Sequence, residues 1–158
     1  MKARLACLSV LVLAGCAGLE NPFEREAAPE TETPAAAAAP AASPPPPAGA
    51  RTAEQFDTTT AEQRAAAAAP EPAGARSLGT TVASLGSPTE PGFWLKTPLV
   101  DAETEGRVTN PATGKSASVT LIPIDGPSTA GSRMSLPAMR LIGADLTDLT
   151  TVEVSAGG

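Results

Sequence analysis

The sequence contains no histidine and no tyrosine, and only one tryptophan and three phenylalanines. Without an imidazole the chain cannot form a Ser-His-Asp triad, a Cys-His pair or a histidine metal site. Basic side chains are also scarce, with 11 lysines and arginines against 17 aspartates and glutamates. Because contacts to phosphates require a basic face, this balance argues against a nucleic-acid partner. No cofactor motif occurs in the sequence, so we expect neither a cofactor nor a metal.

The N-terminus has the pattern of an export signal. Lys2 and Arg4 supply positive charge, and residues 5–13 form an apolar run. That run is shorter than the roughly 20 apolar residues that a membrane-spanning helix needs. Small residues follow it and lead to Cys16. The sequence therefore predicts an exported protein.

Residues 13–16 read Leu-Ala-Gly-Cys and resemble the lipobox of bacterial lipoproteins, in which the cysteine becomes the acylated first residue. The resemblance implies a signal peptide over residues 1–15 and a lipid, such as palmitate, on Cys16. Ala17 follows where an aspartate would imply retention at the inner membrane, so we expect the periplasmic face of the outer membrane in a Gram-negative bacterium. The membrane is then a partner through the lipid. The alternative is an ordinary secretory peptide with an incidental cysteine.

Residues 16–77 have the composition of a disordered tether. Positions 17–77 hold 10 prolines and 21 alanines but only three large apolar side chains. Such a segment buries too little surface to offset its chain entropy. Within it, Thr52 and Thr60 each stand three residues before a glutamine, which is typical of a capping box. The second box leads into five alanines and predicts a short helix at 60–69, frayed unless it docks.

Residues 78–158 have the composition of a small folded domain. Leu, Ile, Val and Phe make up 19 of these 81 positions, above the roughly 20% level below which chains remain disordered. Short β-branched runs bounded by turn residues predict a mainly β fold. The predicted strands cover residues 80–85, 93–100, 106–109, 116–124 and 150–154.

Two local signals add detail to this domain. Residues 110–114 read Asn-Pro-Ala-Thr-Gly, which predicts a hairpin turn with positive φ at Gly114. Ser135 is placed to cap one short helix, and Gly143 is suited to the left-handed position at its end.

Several segments of this domain resemble the RlpA-like double-psi β-barrel family. The strongest are Lys-Thr-Pro-Leu at 96–99, Gly-Arg-Val-Thr-Asn at 106–110 and Gly-Lys-Ser at 114–116, followed by an apolar run that ends in Asp-Gly-Pro at 125–127. The resemblance covers about 60 residues. It implies a small double-psi β-barrel with one short helix, in an envelope protein that binds or cleaves peptidoglycan.

The catalytic pair of this family is incomplete in the present sequence. By position, the family's aspartate corresponds to Asp125 and its histidine to Leu95, while the arginine after the aspartate is missing. Asp125 is therefore the one catalytic candidate, as an acid with a raised pKa beside apolar Ile124. The alternative is that Asp125 stabilises the turn into Gly126 through a side-chain hydrogen bond.

Two further side-chain groups have alternative interpretations. Phe93 and Trp94 are adjacent in a predicted strand, so one ring should enter the core and the other should lie on the surface. The alternative for the surface ring is that it stacks on a sugar, and Trp94 is the better candidate for that contact. The remaining carboxylates of the domain show no pairing and are predicted to be solvated. They are Glu90, Asp101, Glu103, Glu105, Asp145, Asp148 and Glu153.

Three functions remain open from the sequence. The first is a lipid-anchored, non-catalytic envelope protein whose domain binds cell-wall glycan or a periplasmic protein partner. The second is a peptidoglycan lytic transglycosylase that uses Asp125. The third is a spacer lipoprotein that binds no ligand.

Overall fold

A computed structural model describes residues 42–70 and 74–157. Six strands form a closed barrel in the order β1-β5-β2-β4-β3-β6, with β6 paired back to β1. The predicted mainly β fold is confirmed. The strands are β1 (Arg76–Leu85), β2 (Trp94–Thr97), β3 (Thr104–Asn110), β4 (Lys115–Pro123), β5 (Ser132–Met134) and β6 (Thr150–Ala156). The helices are α1 (Ala53–Phe56), α2 (Ala61–Ala67) and α3 (Leu136–Leu141).

The barrel mixes parallel and antiparallel pairs. Strands β1 and β5 are parallel, as are β2 and β4. The other four pairs, β1 with β6, β2 with β5, β3 with β4 and β3 with β6, are antiparallel. Closure gives each of the six strands a paired neighbour on both sides. The pairing is partial at two places, since β1 meets β5 only over residues 83–85 and β4 meets β2 only over residues 120–123.

Alternation along the strands fills the barrel interior. In β4, Ala117, Val119 and Leu121 point inward and are buried, while the residues between them face outward. Helix α3 contributes Ala138 and Met139 to the same core. The core is therefore apolar and contiguous, and it lies wholly inside the barrel and beneath α3.

The hairpin between β3 and β4 confirms its prediction. The backbone N–H groups of Thr113 and Gly114 donate to the carbonyl of Asn110 at 3.2 and 2.8 Å. Gly114 has a φ of +67°, which a residue with a Cβ adopts only with strain.

Helix α3 lies where the sequence predicted one helix, and Ser135 is its N-cap residue as predicted, but the expected side-chain capping bond is absent. The Ser135 side chain makes no capping hydrogen bond; its Oγ accepts from the backbone N–H of Trp94 at 3.1 Å instead. That tertiary bond joins the start of α3 to β2. Gly143 has the predicted positive φ, at +66°.

Strand β5 was not predicted. It has three residues, and its burial depends on a chain of hydroxyls rather than on an apolar run. Ser132 Oγ lies 2.9 Å from the hydroxyls of both Thr81 and Thr97, and all three residues are buried. Mutual hydrogen bonding satisfies these polar groups inside the barrel wall.

Residues 42–70, named the strap, differ from the disordered tether expected over 16–77. Both capping boxes form: Thr52 caps α1 and Thr60 caps α2, each with reciprocal bonds to a glutamine. The helix predicted at 60–69 is therefore present, as α2. Folded structure begins before the predicted boundary at residue 78, because β1 starts at Arg76.

The strap is held against the barrel by a few specific contacts. Arg140 of α3 lies 3.3 Å from the Asp57 carboxylate and 3.6 Å from that of Glu54. Ala67 of α2 is buried against β4. Within the strap, Ser43 Oγ donates to Gln63 Oε1 at 3.0 Å.

The predicted signal peptide and Cys16 lie outside the described residues. Across 42–70 and 74–157, no helix is long and apolar enough to cross a membrane.

Candidate functional site

A groove of about 730 Å³ lies between the strap and the outer wall of the barrel. Its floor is the outward face of β4, where Ser118, Thr120 and Ile122 are half-buried. Ala66 and Ala67 of α2 form one side. The groove therefore combines hydroxyl groups with apolar surface, as small-ligand sites commonly do.

The groove exists because the strap carries small side chains. Residues 65–69 are all alanine, and of these only Ala67 is buried against the barrel. A methyl group reaches only a short distance, so the helix rests on β4 without filling the space beside it. A larger residue at Ala66 would occupy that space.

One end of the groove is aromatic, since both Phe93 and Trp94 line it. Trp94 is only 6% exposed, and its indole N–H donates to the Glu90 carbonyl at 3.3 Å. Lys96 Nζ lies 4.8 Å from the centre of the ring and is paired with Glu90 at 2.7 Å. Phe93 is partly buried and packs against the core, so the structure does not divide the pair into one core ring and one surface ring.

Packing around Trp94 requires a glycine at position 86. A Cβ on Gly86 would lie 2.3 Å from Cη2 of the indole. No residue with a side chain fits there unless the ring moves. Gly86 thus lets the loop before β2 close over the tryptophan.

Two carboxylates that were predicted to be solvated surface line the groove. Glu103 and Glu105 are exposed and are the only charged residues among the described part of its lining. Glu105 Oε1 accepts a hydrogen bond from Thr120 Oγ1 at 3.2 Å, which ties it to the floor. The nearby cation of β3, Arg107, is buried and donates to Ser118 Oγ at 3.0 Å. The two glutamates lie beside the hydroxyls of the floor because β3 pairs with β4. The sequence pattern of a single strand does not reveal that pairing.

The catalytic candidate Asp125 lies outside the groove. It is exposed in the loop after β4, and its carboxylate makes no hydrogen bond to any described residue, so the expected turn bond is absent. Leu95 is fully buried in β2, where its register partners are Leu121 and Met134. The structure therefore does not bring a second chemical group to Asp125 from the family's histidine position.

A second cavity, of about 470 Å³, lies where the strap meets α3. Its lining carries Arg64 and Arg140 beside Glu54 and Asp57. The charges of this cavity balance, since Arg140 contacts both carboxylates. It is the contact surface of the strap rather than an open charged site.

Hydrogen bonds lower two carboxyl pKa values on the surface. The pKa of Glu62 in α2 is lowered first by its own backbone N–H and then by the Thr60 hydroxyl. The pKa of Asp145 is lowered by the backbone N–H and then the hydroxyl of Thr147. Both groups lie away from the groove lining. Within 42–70 and 74–157, no group of three or more Cys, Asp or Glu is placed to hold a metal.

Comparison with known proteins gives no relative from which to transfer a function. No family model, curated protein or solved structure matches the chain.

Proposed function

We propose that this chain is a lipid-anchored, non-catalytic protein of the bacterial cell envelope whose barrel binds cell-wall glycan in the groove. Anchoring rests on the Leu-Ala-Gly-Cys tetrad that ends at Cys16. Binding rests on one observation, the groove between the strap and β4 with hydroxyls on its floor and Phe93 at its end.

We also propose that the barrel is a degenerate double-psi β-barrel of the RlpA-like kind. Two parallel strand pairs within one six-stranded barrel support this relation. The matching segments at 106–110 and 114–116 lie in β3 and at the start of β4, on either side of a tight turn.

A glycan suits the groove better than an extended peptide does. Peptides commonly bind by adding a strand to a free sheet edge. At Thr120 and Leu121, β4 is paired with β2 on one side and β3 on the other, so the backbone in this part of the floor is occupied. A ligand there must be recognised by side chains, and Ser118, Thr120 and Phe93 offer hydroxyls and a ring to a sugar.

The geometry does not favour the lytic transglycosylase alternative. Cleavage of a glycosidic bond requires an acid for the leaving oxygen and a second group that stabilises or deprotonates the sugar. Asp125 is exposed and isolated, and Leu95 is a hydrocarbon inside the core. The non-catalytic role is therefore preferred.

Anchoring is tested by Cys16→Ser in cells that are fed a labelled fatty acid. The wild-type chain should incorporate label and sediment with the outer membrane. The variant should remain unlabelled and leave the membrane fraction, since two or more acyl chains supply the anchoring free energy. Equal labelling of both chains would refute the lipid anchor at Cys16.

Glycan binding is tested by closing the groove. Ala66→Leu puts a branched side chain into it, whereas Ala65→Leu adds the same side chain at an exposed position outside the lining. Leucine is a good helix former, so α2 should persist in both. The affinity of the full chain for purified peptidoglycan should fall at least about fivefold in Ala66→Leu, which corresponds to about 1 kcal/mol of binding free energy. Ala65→Leu should bind like the wild type.

The same binding assay separates the other functions. Digested cell wall should show no soluble fragments above background after incubation with the protein. Release of fragments that Asp125→Asn abolishes without unfolding would establish the enzyme instead. Retention by an envelope protein but not by glycan would establish a protein partner, and retention by neither would leave a spacer lipoprotein.

A further inference from the structure

The charges of the groove point to a narrower class of ligand. We propose that the groove selects glycan whose sugars carry free, protonated amino groups over glycan whose amines are acetylated. This inference rests on the proposed binding of glycan in the groove and adds the chemical group that is recognised there.

The carboxylates of Glu103 and Glu105 both line the groove. Glu103 directly precedes β3, and Glu105 lies within it. The bond from Thr120 Oγ1 holds one oxygen of Glu105 toward the floor at 3.2 Å. Its second oxygen and the whole of the Glu103 carboxylate remain available to a ligand.

The negative charge of the two glutamates is not cancelled by an ion pair. Neither glutamate pairs with any cation in 42–70 or 74–157. Arg107, the cation on the same strand, is buried and donates to Ser118 of the floor, while Lys96 pairs with Glu90. With two glutamates beside one arginine, the β3 side of the groove keeps a net negative charge.

A free sugar amine suits these carboxylates better than an acetylated one does. A protonated sugar amine offers a positive charge and three N–H donors, and charge-assisted bonds to carboxylates are stronger than neutral ones. An acetylated amine is neutral, with one N–H donor and one carbonyl acceptor. A carboxylate facing that carbonyl gains no hydrogen bond. The groove should therefore favour the free amine over the acetylated amine.

The experiment compares two oligosaccharides that differ only in this group. The full chain is titrated at neutral pH and low salt with a hexamer of glucosamine and with the hexamer of N-acetylglucosamine, and heat is measured by calorimetry. Because exposed ion pairs are individually weak, we expect the amine form to bind about three- to tenfold more tightly. The preference should shrink at high salt.

Variants assign the preference to the groove. Glu103→Gln and Glu105→Gln should each reduce it by about two- to fivefold, and the double variant should abolish it. Glu153→Gln removes the same charge from an exposed position on β6 outside the lining and should leave the preference unchanged. Thermal melting of each variant shows whether the barrel remains folded.

The outcomes distinguish this inference from the proposed function. Equal binding of both hexamers, blocked by Ala66→Leu, would refute selection for amines while glycan binding stands. Binding of neither hexamer would refute the selection for amines, and it would refute glycan binding as well if purified peptidoglycan is also not retained. A preference that survives the double variant would overturn the inference, and so would a preference that falls equally in Glu153→Gln. Either result would mean that an acidic protein attracts a polycation in general, without selection by the groove.

Discussion

Leu95 occupies the middle of the barrel interior with no part of its side chain exposed. Its strand neighbours Leu121 and Met134 belong to the same apolar core. A buried imidazole there would have no hydrogen-bond partner, since the core cluster around it consists of hydrocarbon and thioether side chains. Leucine at this position thus contributes to stability.

A histidine at position 95, where the RlpA-like family that the sequence resembles has one, should therefore destabilise the protein without creating activity. Leu95→His replaces a fully buried aliphatic group by a polar ring. We expect the free energy of unfolding to fall by about 2 to 4 kcal/mol, through lost apolar burial and an unsatisfied polar group. Denaturant melts measure the loss, and Leu95→Met, which nearly conserves volume, should cost under about 1.5 kcal/mol. Glycan cleavage by a stable Leu95→His variant would contradict this expectation.

At the scale of the element, the strap is the segment whose stability depends most on a few contacts. Helices α1 and α2 have four and seven residues, which is too short for stability in isolation. Their capping boxes define where they begin, but the bonds to Arg140 and the burial of Ala67 keep them on the barrel. Loss of one of these contacts should loosen the strap while the barrel stays closed.

Arg140→Ala should make the strap more accessible to protease. The Arg140 side chain is 38% exposed, so its pairs contribute at most about 1 kcal/mol, which corresponds to about a fivefold larger undocked population. Trypsin should then cut after Arg51 and Arg64 about fivefold faster, because cleavage follows local opening. The control Arg133→Ala removes an exposed arginine of β5 that lies away from the strap. Identical cleavage rates in wild type and Arg140→Ala would contradict the role of Arg140.

Local signals and tertiary contacts explain which elements were predictable. The capping boxes at Thr52 and Thr60 and the turn ending at Gly114 are determined by residues within three or four positions, so the sequence predicted them correctly. Docking of the strap depends on Arg140, which lies 83 residues from Asp57. Strand β5 depends likewise on hydroxyls of β1 and β2. Such long-range contacts leave no periodic signal in the sequence.

At the scale of the whole molecule, closure of the barrel depends on the last strand. Strand β6 pairs with β1 on one side and β3 on the other, and it buries Val152 and Val154. Without it, two strand edges and part of the core would meet water. The fold therefore needs nearly the entire length of the chain after residue 76.

Truncation after Leu149 should abolish the folded barrel. The change removes both ladders of β6 and two buried valines, each worth about 1.5 to 3 kcal/mol of burial, against a total stability of about 5 to 15 kcal/mol. Circular dichroism should show no cooperative thermal transition. Truncation after Gly157 removes one residue beyond β6 and should melt like the full chain. A cooperative transition in the shorter chain would mean that five strands suffice.

The candidate site could be predicted only in part, because its parts come together only in the folded molecule. The aromatic pair at 93 and 94 was recognised, but which ring is buried depends on the loop that Gly86 lets close over Trp94. Glu103 and Glu105 have an ordinary sequence context. Only the pairing of β3 with β4 and the docking of α2 place them beside Ser118 and Thr120. The groove is thus a product of the assembled fold.

Burial of Trp94 has an optical consequence. The chain has one tryptophan and no tyrosine, so nearly all of its intrinsic ultraviolet emission comes from a single indole. That indole lines the groove, under the loop at Gly86 and against the Lys96 ammonium. A change in the polarity around it, when a ligand enters or when the strap lifts, shifts or quenches that emission without any background from elsewhere in the molecule. The protein thus carries its own fluorophore at the one place where binding has been proposed.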